Sequence, residues 1–267
     1  MKTVREETRG ALTLRIVEGK SGYSGVILAK TGGRLSLLQD SDPVSLWRRL
    51  EEAAACSSKE YVGFDGARAR FLHFFPQGFA SPEYAKHERT YKDEAKVRLD
   101  ASVPIEAALR ADGLGHAALA AFRDTNLLSP FEKMRVADLL RGPSADAFLR
   151  AAGRFTIGVD ARGLAEMAAL AKVHDCAKWT VLTYLPFFWR PDAHMFLKPE
   201  VTKDFAARVG HPFIHAYTAD ISMPVYDALR DLAARTEQEI IDLKPRDRID
   251  VQSFIWTVGA YTDPLVP

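Results

Sequence analysis

Apolar and polar residues alternate in the first part of the chain. Leu12, Leu14 and Ile16 are separated by single polar residues, so in an extended strand their side chains fall on one face. Residues 23–29 and 34–38 continue in short apolar runs with glycines nearby, and glycine suits the turns between strands. The pattern predicts a three-stranded antiparallel meander.

Helical spacing replaces this alternation after Asp42. Aspartate is a preferred N-cap residue, and proline is favoured at the first helical position, which Pro43 would occupy. Leu46 and Leu50 then follow four residues apart, on one side of a helix. A single helix is therefore expected to follow the meander.

Two further strands are predicted before the first part of the chain ends. Residues 61–64 and 69–75 are rich in aromatic and apolar side chains, and Asp65-Gly66 between them is a hairpin signal. A Pro-Gln-Gly sequence then breaks the pattern. Residues 1–78 are expected to form a small antiparallel α+β domain with one helix.

Helical patterns dominate residues 79–267, which are expected to form a second, mainly helical domain. Glu–Lys and Glu–Arg pairs four residues apart favour a helix over residues 82–99. Ser129 and Glu132 have the spacing of a capping box. Residues 179–198 are the exception, because their aromatic and β-branched content favours a short β element. The predicted fold class is α+β.

Composition limits the possible partners. The 267 residues include 36 Lys and Arg against 35 Asp and Glu, giving a net charge of +1, so any nucleic-acid site must be a local patch. The two cysteines are far apart and suit a reducing cytoplasm. No apolar run reaches the roughly 18 residues of a spanning helix, and the charged N-terminus predicts no signal peptide. The abundance of Ala and Arg suggests a bacterial source. We expect a cytoplasmic protein with no membrane partner.

One basic stripe is a candidate nucleic-acid contact. Lys86, Arg89, Lys92 and Lys96 are spaced so that they fall roughly on one side of the helix predicted for this segment. One interpretation is an ordinary solvated face, stabilised by interspersed acids such as Glu88. The alternative is that Arg89, Lys92 and Lys96 contact phosphate.

A second group of charges lies near the C-terminus. In one interpretation Asp250 is a helix N-cap and Arg246 pairs with Asp247; in the other, Arg246 and Arg248 donate to a phosphate at a helix start. Lys198 is flanked by apolar residues and proline. It either extends its ammonium to solvent along an apolar surface or aims it at an anion in a pocket.

Catalytic motifs are scarce. The chain has no Gly-rich phosphate loop, no GxSxG and no HExxH. Glu94 and Lys96 have the Glu-x-Lys spacing of a metal-dependent nuclease core, which holds Mg²⁺ with two carboxylates. Asp247 and Asp250 form a possible acid cluster. No metal or other cofactor is predicted, except Mg²⁺ if the protein is such a nuclease.

Five phrases together resemble a family of uncharacterised bacterial proteins, over residues 70–262. They are FLHFFPQGF, ERTYKDEA, TNLLSPFEKMRVADLL, HMFLKPEVT and PRDRIDVQSFIW. The C-terminal third is also similar to segments of restriction and DNA-repair proteins, at residues 180–199, Gly210, residues 226–243 and residues 250–256. This resemblance implies a role near nucleic acid but no catalytic residue, because it places none at a definite position.

The leading hypothesis is therefore a nucleic-acid-associated binding or accessory protein, in a defence or repair context. A metal-dependent nuclease or hydrolase is the first alternative, using Asp247, Asp250 or Glu94 with Lys198 or Lys96. A protein-interaction module without a catalytic site is the second alternative, and an exposed apolar patch would favour it.

Overall fold

A computed structural model of the chain describes residues 2–9, 12–19, 22–29, 33–57 and 63–262. The fold class is α+β, as predicted: a four-stranded antiparallel sheet precedes a mostly helical body. The strands are β1 (Lys2–Arg9), β2 (Leu12–Gly19), β3 (Gly22–Ala29) and β4 (Arg34–Asp40). The helices are α1 (Pro43–Ser57), α2 (Gly63–Phe74), α3 (Pro82–Tyr84), α4 (Thr90–Ser102), α5 (Ile105–Ala108), α6 (Gly115–Arg123), α7 (Pro130–Arg141), α8 (Ala145–Gly158), α9 (Ala161–Lys172), α10 (Trp179–Leu182), α11 (Tyr184–Trp189), α12 (Pro199–Arg208), α13 (Phe213–Ala216), α14 (Met223–Glu239) and α15 (Arg248–Ala260).

The described residues divide into two compact units. The N-terminal unit comprises Met1–Pro76, Arg208–Gly210 and Thr257–Pro267, and the helical unit comprises Gln77–Ala207 and His211–Trp256. The predicted domains 1–78 and 79–267 differ from these units mainly in where the end of the chain is assigned. Among the described residues, no helix is both long and apolar enough to cross a membrane.

The sheet of the N-terminal unit is a meander in the order β1-β2-β3-β4. The predicted strands correspond to β2, β3 and β4, and cross-strand pairs such as Leu14 with Ile27 place apolar residues on one face. Strand β1 was not predicted from the sequence. It is an edge strand whose side chains are mostly exposed and charged, so it has no apolar alternation to reveal it.

The helix predicted after Asp42 is present as α1, and it covers the apolar face of this sheet. Leu46 and Leu50 are fully buried against the strand residues Leu14 and Ile27. The helix approaches β3 closely at Gly25, where a Cβ atom would lie 2.6 Å from Cδ1 of Leu50. Only glycine fits at that position without moving a core side chain.

The hairpin predicted over residues 61–75 is wrong. Residues 63–74 form helix α2, while residues 61 and 62 lie outside the described part of the chain. Ala67, Arg70 and Phe71 are buried at helical spacing, and Arg70 donates to the carbonyl oxygens of Val258 (2.8 Å) and Tyr261 (2.5 Å) near the end of α15. The aromatic content suggested a strand, but these tertiary contacts outweigh that preference.

The β element predicted over residues 179–198 is also wrong, because that stretch contains α10 and α11 and none of its residues is in a strand. Nearly all side chains from Trp179 to Trp189 are buried, so no polar face reveals the period of the backbone. Periodicity cannot separate a buried strand from a buried helix in a short apolar run.

The predicted helix over residues 82–99 exists, but it contains an irregularity. Helices α3 and α4 are joined by a π turn at Ala85–Arg89, in which the N–H of Thr90 donates to the carbonyl of Ala85, five residues earlier. Such π turns are uncommon in helices and change the direction of the side chains that follow. The capping box at the start of α7 is confirmed, with Ser129 and Glu132 each accepting from the backbone of the other.

Candidate anion-binding site

A network of charged and polar side chains is buried between α4 and the start of α15, within the helical unit. We call it the buried charge network. Its members from the segment ending in α4 are Tyr84, Glu88, Arg89 and Lys92, and its members near the start of α15 are Asp247, Asp250, Gln252 and Ser253. All except Asp247 are at most 5% exposed.

Arg89 is at the centre of one half of the network. Its Nη1 atom donates to Asp247 (2.6 Å) and Asp250 (2.8 Å), and Nη2 donates to the second oxygen of Asp247 (2.7 Å). The phenol of Tyr84 donates to Asp250 at 2.5 Å. Arg246 lies at the exposed edge of the network, and its backbone N–H donates to the carboxylate of Asp250 at 2.7 Å. Each of these donors therefore holds a carboxylate in place.

These contacts fix the charge states. Burial disfavours the charged form of Arg89, but its hydrogen bonds to Asp247 and the charge of Asp250 outweigh that cost and raise its pKa above the ordinary value. Burial and the neighbouring charge of Asp250 raise the pKa of the Tyr84 phenol. The phenol stays protonated and remains a donor at neutral pH.

Asp247 also determines where α15 begins. Its Oδ1 accepts from the backbone N–H of Ile249 at 2.9 Å, which is the bond that an N-cap side chain makes. The prediction that Asp250 is the N-cap is therefore wrong. Asp250 lies one turn further on and is fully buried, where its carboxylate accepts from Tyr84 and Arg89.

Lys92 is at the centre of the other half. Its ammonium donates to Glu88 (3.0 Å), to Oε1 of Gln252 (2.9 Å) and to Oγ of Ser253 (2.7 Å). A lysine has three donors, and all three are used. Burial lowers the pKa of Lys92, and the adjacent carboxylate of Glu88 opposes that shift.

The π turn brings these side chains to one face. Tyr84, Glu88, Lys92 and Leu99 are all buried and lie along one side of the helical segment. Charged residues at such spacing suggested an exposed face, and both interpretations of the basic stripe treated Arg89 and Lys92 as surface groups. Tyr84 and Leu99 were the available signal, because residues four positions from a buried aromatic share its side of the helix.

The network itself carries no surplus of positive charge for a ligand. Its two cations, Arg89 and Lys92, face the three carboxylates of Glu88, Asp247 and Asp250, and the exposed pair Arg246 and Asp93 at its edge adds one charge of each sign. A Ser next to a Lys can form a catalytic pair in which the Ser hydroxyl is the nucleophile and the Lys is the base. Here, however, Ser253 is fully buried and donates to the carbonyl of Ile249 at 2.8 Å. The network is arranged to stabilise the interior of the helical unit.

A pocket of about 40 Å³ lies next to the Lys92 end of the network. We call it the lysine pocket. Helix α4 contributes two lining residues, the segment between α6 and α7 two, the residue before α12 one, and α15 two. They are Tyr91, Lys92, Asn126, Leu127, Lys198, Gln252 and Trp256.

The polar groups of this pocket are mainly hydrogen-bond donors. Lys198 donates to the carbonyl of Leu127 (3.0 Å), which leaves two of its three protons available, and its ammonium lies 5.4 Å from the centre of the Trp256 ring. Oε1 of Gln252 accepts a hydrogen bond from Lys92. The amide nitrogen of Gln252 has no hydrogen-bond partner within the described residues, so it can donate to a ligand. None of the lining residues is a carboxylate. The pocket is suited to an anion.

The remaining predicted cations lie elsewhere. Lys96 donates to Asp100 (2.8 Å) and to the carbonyl of Phe188 (3.1 Å), and Arg246 lies 3.4 Å from Asp93. Arg248 is 9% exposed and donates to the carbonyl of Ala193 at 2.6 Å. The structure therefore unites Lys92 and Lys198 at the pocket, places Arg89 and Arg246 in or beside the network, and separates Lys96 and Arg248 from both.

The carboxylates of the nuclease hypothesis are already engaged. Asp247 and Asp250 converge, but they do so around the guanidinium of Arg89, whose charge takes the position that a metal would need. Glu94 and Lys96 lie inside α4, whereas the nuclease core requires them on a strand. Within the described ranges, no group of three or more His, Cys, Asp or Glu residues is arranged to hold a metal ion.

Exposed apolar side chains bear on the interaction-module hypothesis. Most of the large ones lie singly on different elements, as on ordinary protein surfaces. Phe131 (77% exposed) and Met134 (52% exposed) share one face of α7. Two side chains cover too little area to define a docking surface.

Sequence inspection missed the pocket partners Gln252, Trp256 and Asn126. Gln252 and Trp256 are four residues apart and share a face of α15, which was the available signal for those two. Asn126 is in a connecting segment and gives no periodic signal. Comparisons of this chain with protein-family models, curated proteins and solved structures gave no match.

Proposed function

We propose that this protein is a nucleic-acid-associated binding protein whose lysine pocket receives a phosphate group of the nucleic acid. The observation that supports the proposal most directly is the lining of the pocket. Lys198 and Gln252 offer free donors to it, and none of its lining residues is a carboxylate. Charge-assisted donors of this kind are those that proteins use for phosphate.

The aromatic residues at the pocket support a nucleic acid over a simple anion. Tyr91 and Trp256 are partly exposed beside the lysines. Proteins that bind single strands combine basic groups on the backbone with aromatic rings on which bases stack, at about 1–3 kcal/mol per base. Arg89 and Lys92, the two buried members of the predicted stripe, would contribute indirectly, by holding α4 and α15 in place.

The proposal is tested by fluorescence anisotropy with labelled single-stranded and double-stranded DNA and RNA, over a series of salt concentrations. We expect binding that weakens with salt, because phosphate contacts release counterions. Lys198→Met removes the charge but keeps an apolar stem over Trp256. It should weaken binding to every sequence and reduce the salt slope by about one phosphate contact.

Lys172→Met is the matched control, since Lys172 is an exposed lysine near the end of α9. It should leave affinity and salt slope unchanged. Absence of binding at low salt, or equal effects of the two substitutions, would contradict the proposal. The same samples incubated with Mg²⁺ and resolved on a gel test the nuclease alternative, which predicts cleavage of the probe.

A further inference from the structure

We infer that the lysine pocket recognises a terminal phosphate of a nucleic-acid strand in preference to a phosphate within the chain. This inference rests on the proposed function and makes it more specific. Three features of the pocket support it: its volume, the number of free donors, and the groups that close its inner side.

The volume admits one small group. The pocket measures about 40 Å³, and a single water needs about 10–15 Å³ in the same measure. Space for about three waters suits the four oxygens of one phosphate group, but neither a base nor a sugar. An internal phosphodiester carries a sugar on both sides, so it can direct only its two non-bridging oxygens into such a recess, whereas a terminal phosphate can enter with three oxygens.

The free donors match a phosphomonoester. Lys198 has two protons left after its bond to Leu127, and the amide nitrogen of Gln252 adds further donors. A terminal phosphate presents three free oxygens and a charge of about −1.5 to −2 at neutral pH, whereas an internal diester presents two oxygens and one charge. The additional oxygen and charge are what these donors would distinguish.

The inner side of the pocket is rigid and polar. Lys92 lies there with all three protons engaged by Glu88, Gln252 and Ser253, so it cannot move to follow a ligand. Its bond to Oε1 fixes the Gln252 amide with the nitrogen as the free end. Asn126 is exposed, which places an additional amide on the solvent side of the pocket.

The test compares oligonucleotides of one sequence that differ only at their ends. Single strands with an internal fluorophore carry a 5′-phosphate, a 3′-phosphate or hydroxyls at both ends, and their affinities are measured by anisotropy. We expect the strands with a terminal phosphate to bind about tenfold more tightly than the hydroxyl strand, as one or two charge-assisted hydrogen bonds predict. Inorganic phosphate in excess should reduce the difference.

Two variants locate the effect. Lys198→Met should remove most of the preference, and Lys172→Met should preserve it. Gln252→Glu keeps an oxygen for Lys92 but replaces the free donor with a carboxylate oxygen, so it should abolish the preference without loss of the fold. If Gln252→Glu does not fold, as judged by circular dichroism, Lys198→Met still decides the question.

The possible failures are distinguishable. Equal affinity for phosphorylated and hydroxyl strands would overturn the inference and leave the proposed function intact. Absence of binding to all strands would overturn both. Binding of inorganic phosphate without binding of any strand, measured by calorimetry and lost in Lys198→Met, would also overturn both, because the pocket would then be a site for a free anion only.

Discussion

The cores of the two units are built on different principles. In the N-terminal unit, β2, β3 and α1 meet through a cluster of buried residues without a charged member: Leu12, Leu14, Ile16, Ile27, Leu46, Trp47, Leu50 and Ala54. In the helical unit, α4 meets α15 through the buried charge network. The apolar core needs complementary shapes but no specific partner atoms, whereas the network depends on every hydrogen-bonding partner being present.

This difference has a physical cause. Burial of apolar surface is favourable without regard to direction, so a hydrophobic cluster requires only the right residues on one face. A buried charge is costly unless an opposite charge and hydrogen bonds compensate for it. The network is consequently a source of specificity for how α4 and α15 meet, and removal of a single member should be more damaging than removal of a methyl group elsewhere.

The largest expected effect is the loss of Asp250. Asp250→Ala leaves Arg89 and Tyr84 buried with one acceptor fewer, and should lower the free energy of unfolding by about 3–5 kcal/mol. Asp250→Asn keeps the shape but loses the charge, and should cost less. Urea denaturation followed by circular dichroism measures both, and a cost below about 1 kcal/mol for Asp250→Ala would show that the network does not stabilise the unit.

The next effect concerns His194, another buried polar side chain of the helical unit. Burial lowers its pKa from about 6.5 to about 4. Its ring is hydrogen-bonded through Nδ1 to the hydroxyl of Tyr226 (2.6 Å) and through Nε2 to the carbonyl of Thr156 (2.9 Å). The unfolded chain therefore binds a proton between these pH values and the folded chain does not, so stability falls as pH decreases through this range. The loss should reach about 3 kcal/mol by pH 4.

The comparison with His194→Gln isolates this effect from the titration of carboxylates. The variant should be less stable than the parent protein at pH 7, and the difference should shrink towards pH 4. Thermal unfolding monitored at several pH values provides the measurement. A difference that stays constant with pH would exclude His194 as the titrating group.

The substitution with the smallest expected effect is Gly25→Ala, which tests the apolar core. Gly25→Ala places a Cβ atom 2.6 Å from Cδ1 of Leu50, and should cost about 1–3 kcal/mol through overpacking. Leu50→Ala alone should cost about 2–5 kcal/mol by leaving a cavity. Because the second change removes the atoms that the first one meets, the double variant should cost clearly less than the two single costs combined. Simple additivity in denaturant unfolding would refute the close approach.

The two units also differ in how much the sequence revealed. Apolar runs between turn signals predicted β3 and β4. Alternation predicted β2 and helical spacing predicted α1, because each of these two elements has one buried and one exposed face. The β element predicted over residues 179–198 was wrong for the opposite reason. In α10 and α11 nearly every residue is buried, and no contrast between faces remained to reveal the period.

The candidate site shows the same limit. Lys198 and Lys92 were both singled out in the sequence, but nothing in their spacing places residues 106 positions apart at one pocket. Arg89 and Lys92 were expected at the surface, because charged side chains are seldom buried without partners. Their partners Asp250 and Gln252 are about 160 positions away along the chain and became visible only in three dimensions.

The sequence alone determined the features that depend on neighbouring residues: the alternation of the sheet, the amphipathic character of α1, and the capping box of Ser129 and Glu132. Tertiary structure decided the features that depend on distant partners: the helical state of residues 179–189, the burial of Arg89 and Lys92, and the formation of the lysine pocket. Local preferences act over a few residues, whereas the net cost of burying a charge depends on the partner groups that lie next to it in the folded structure.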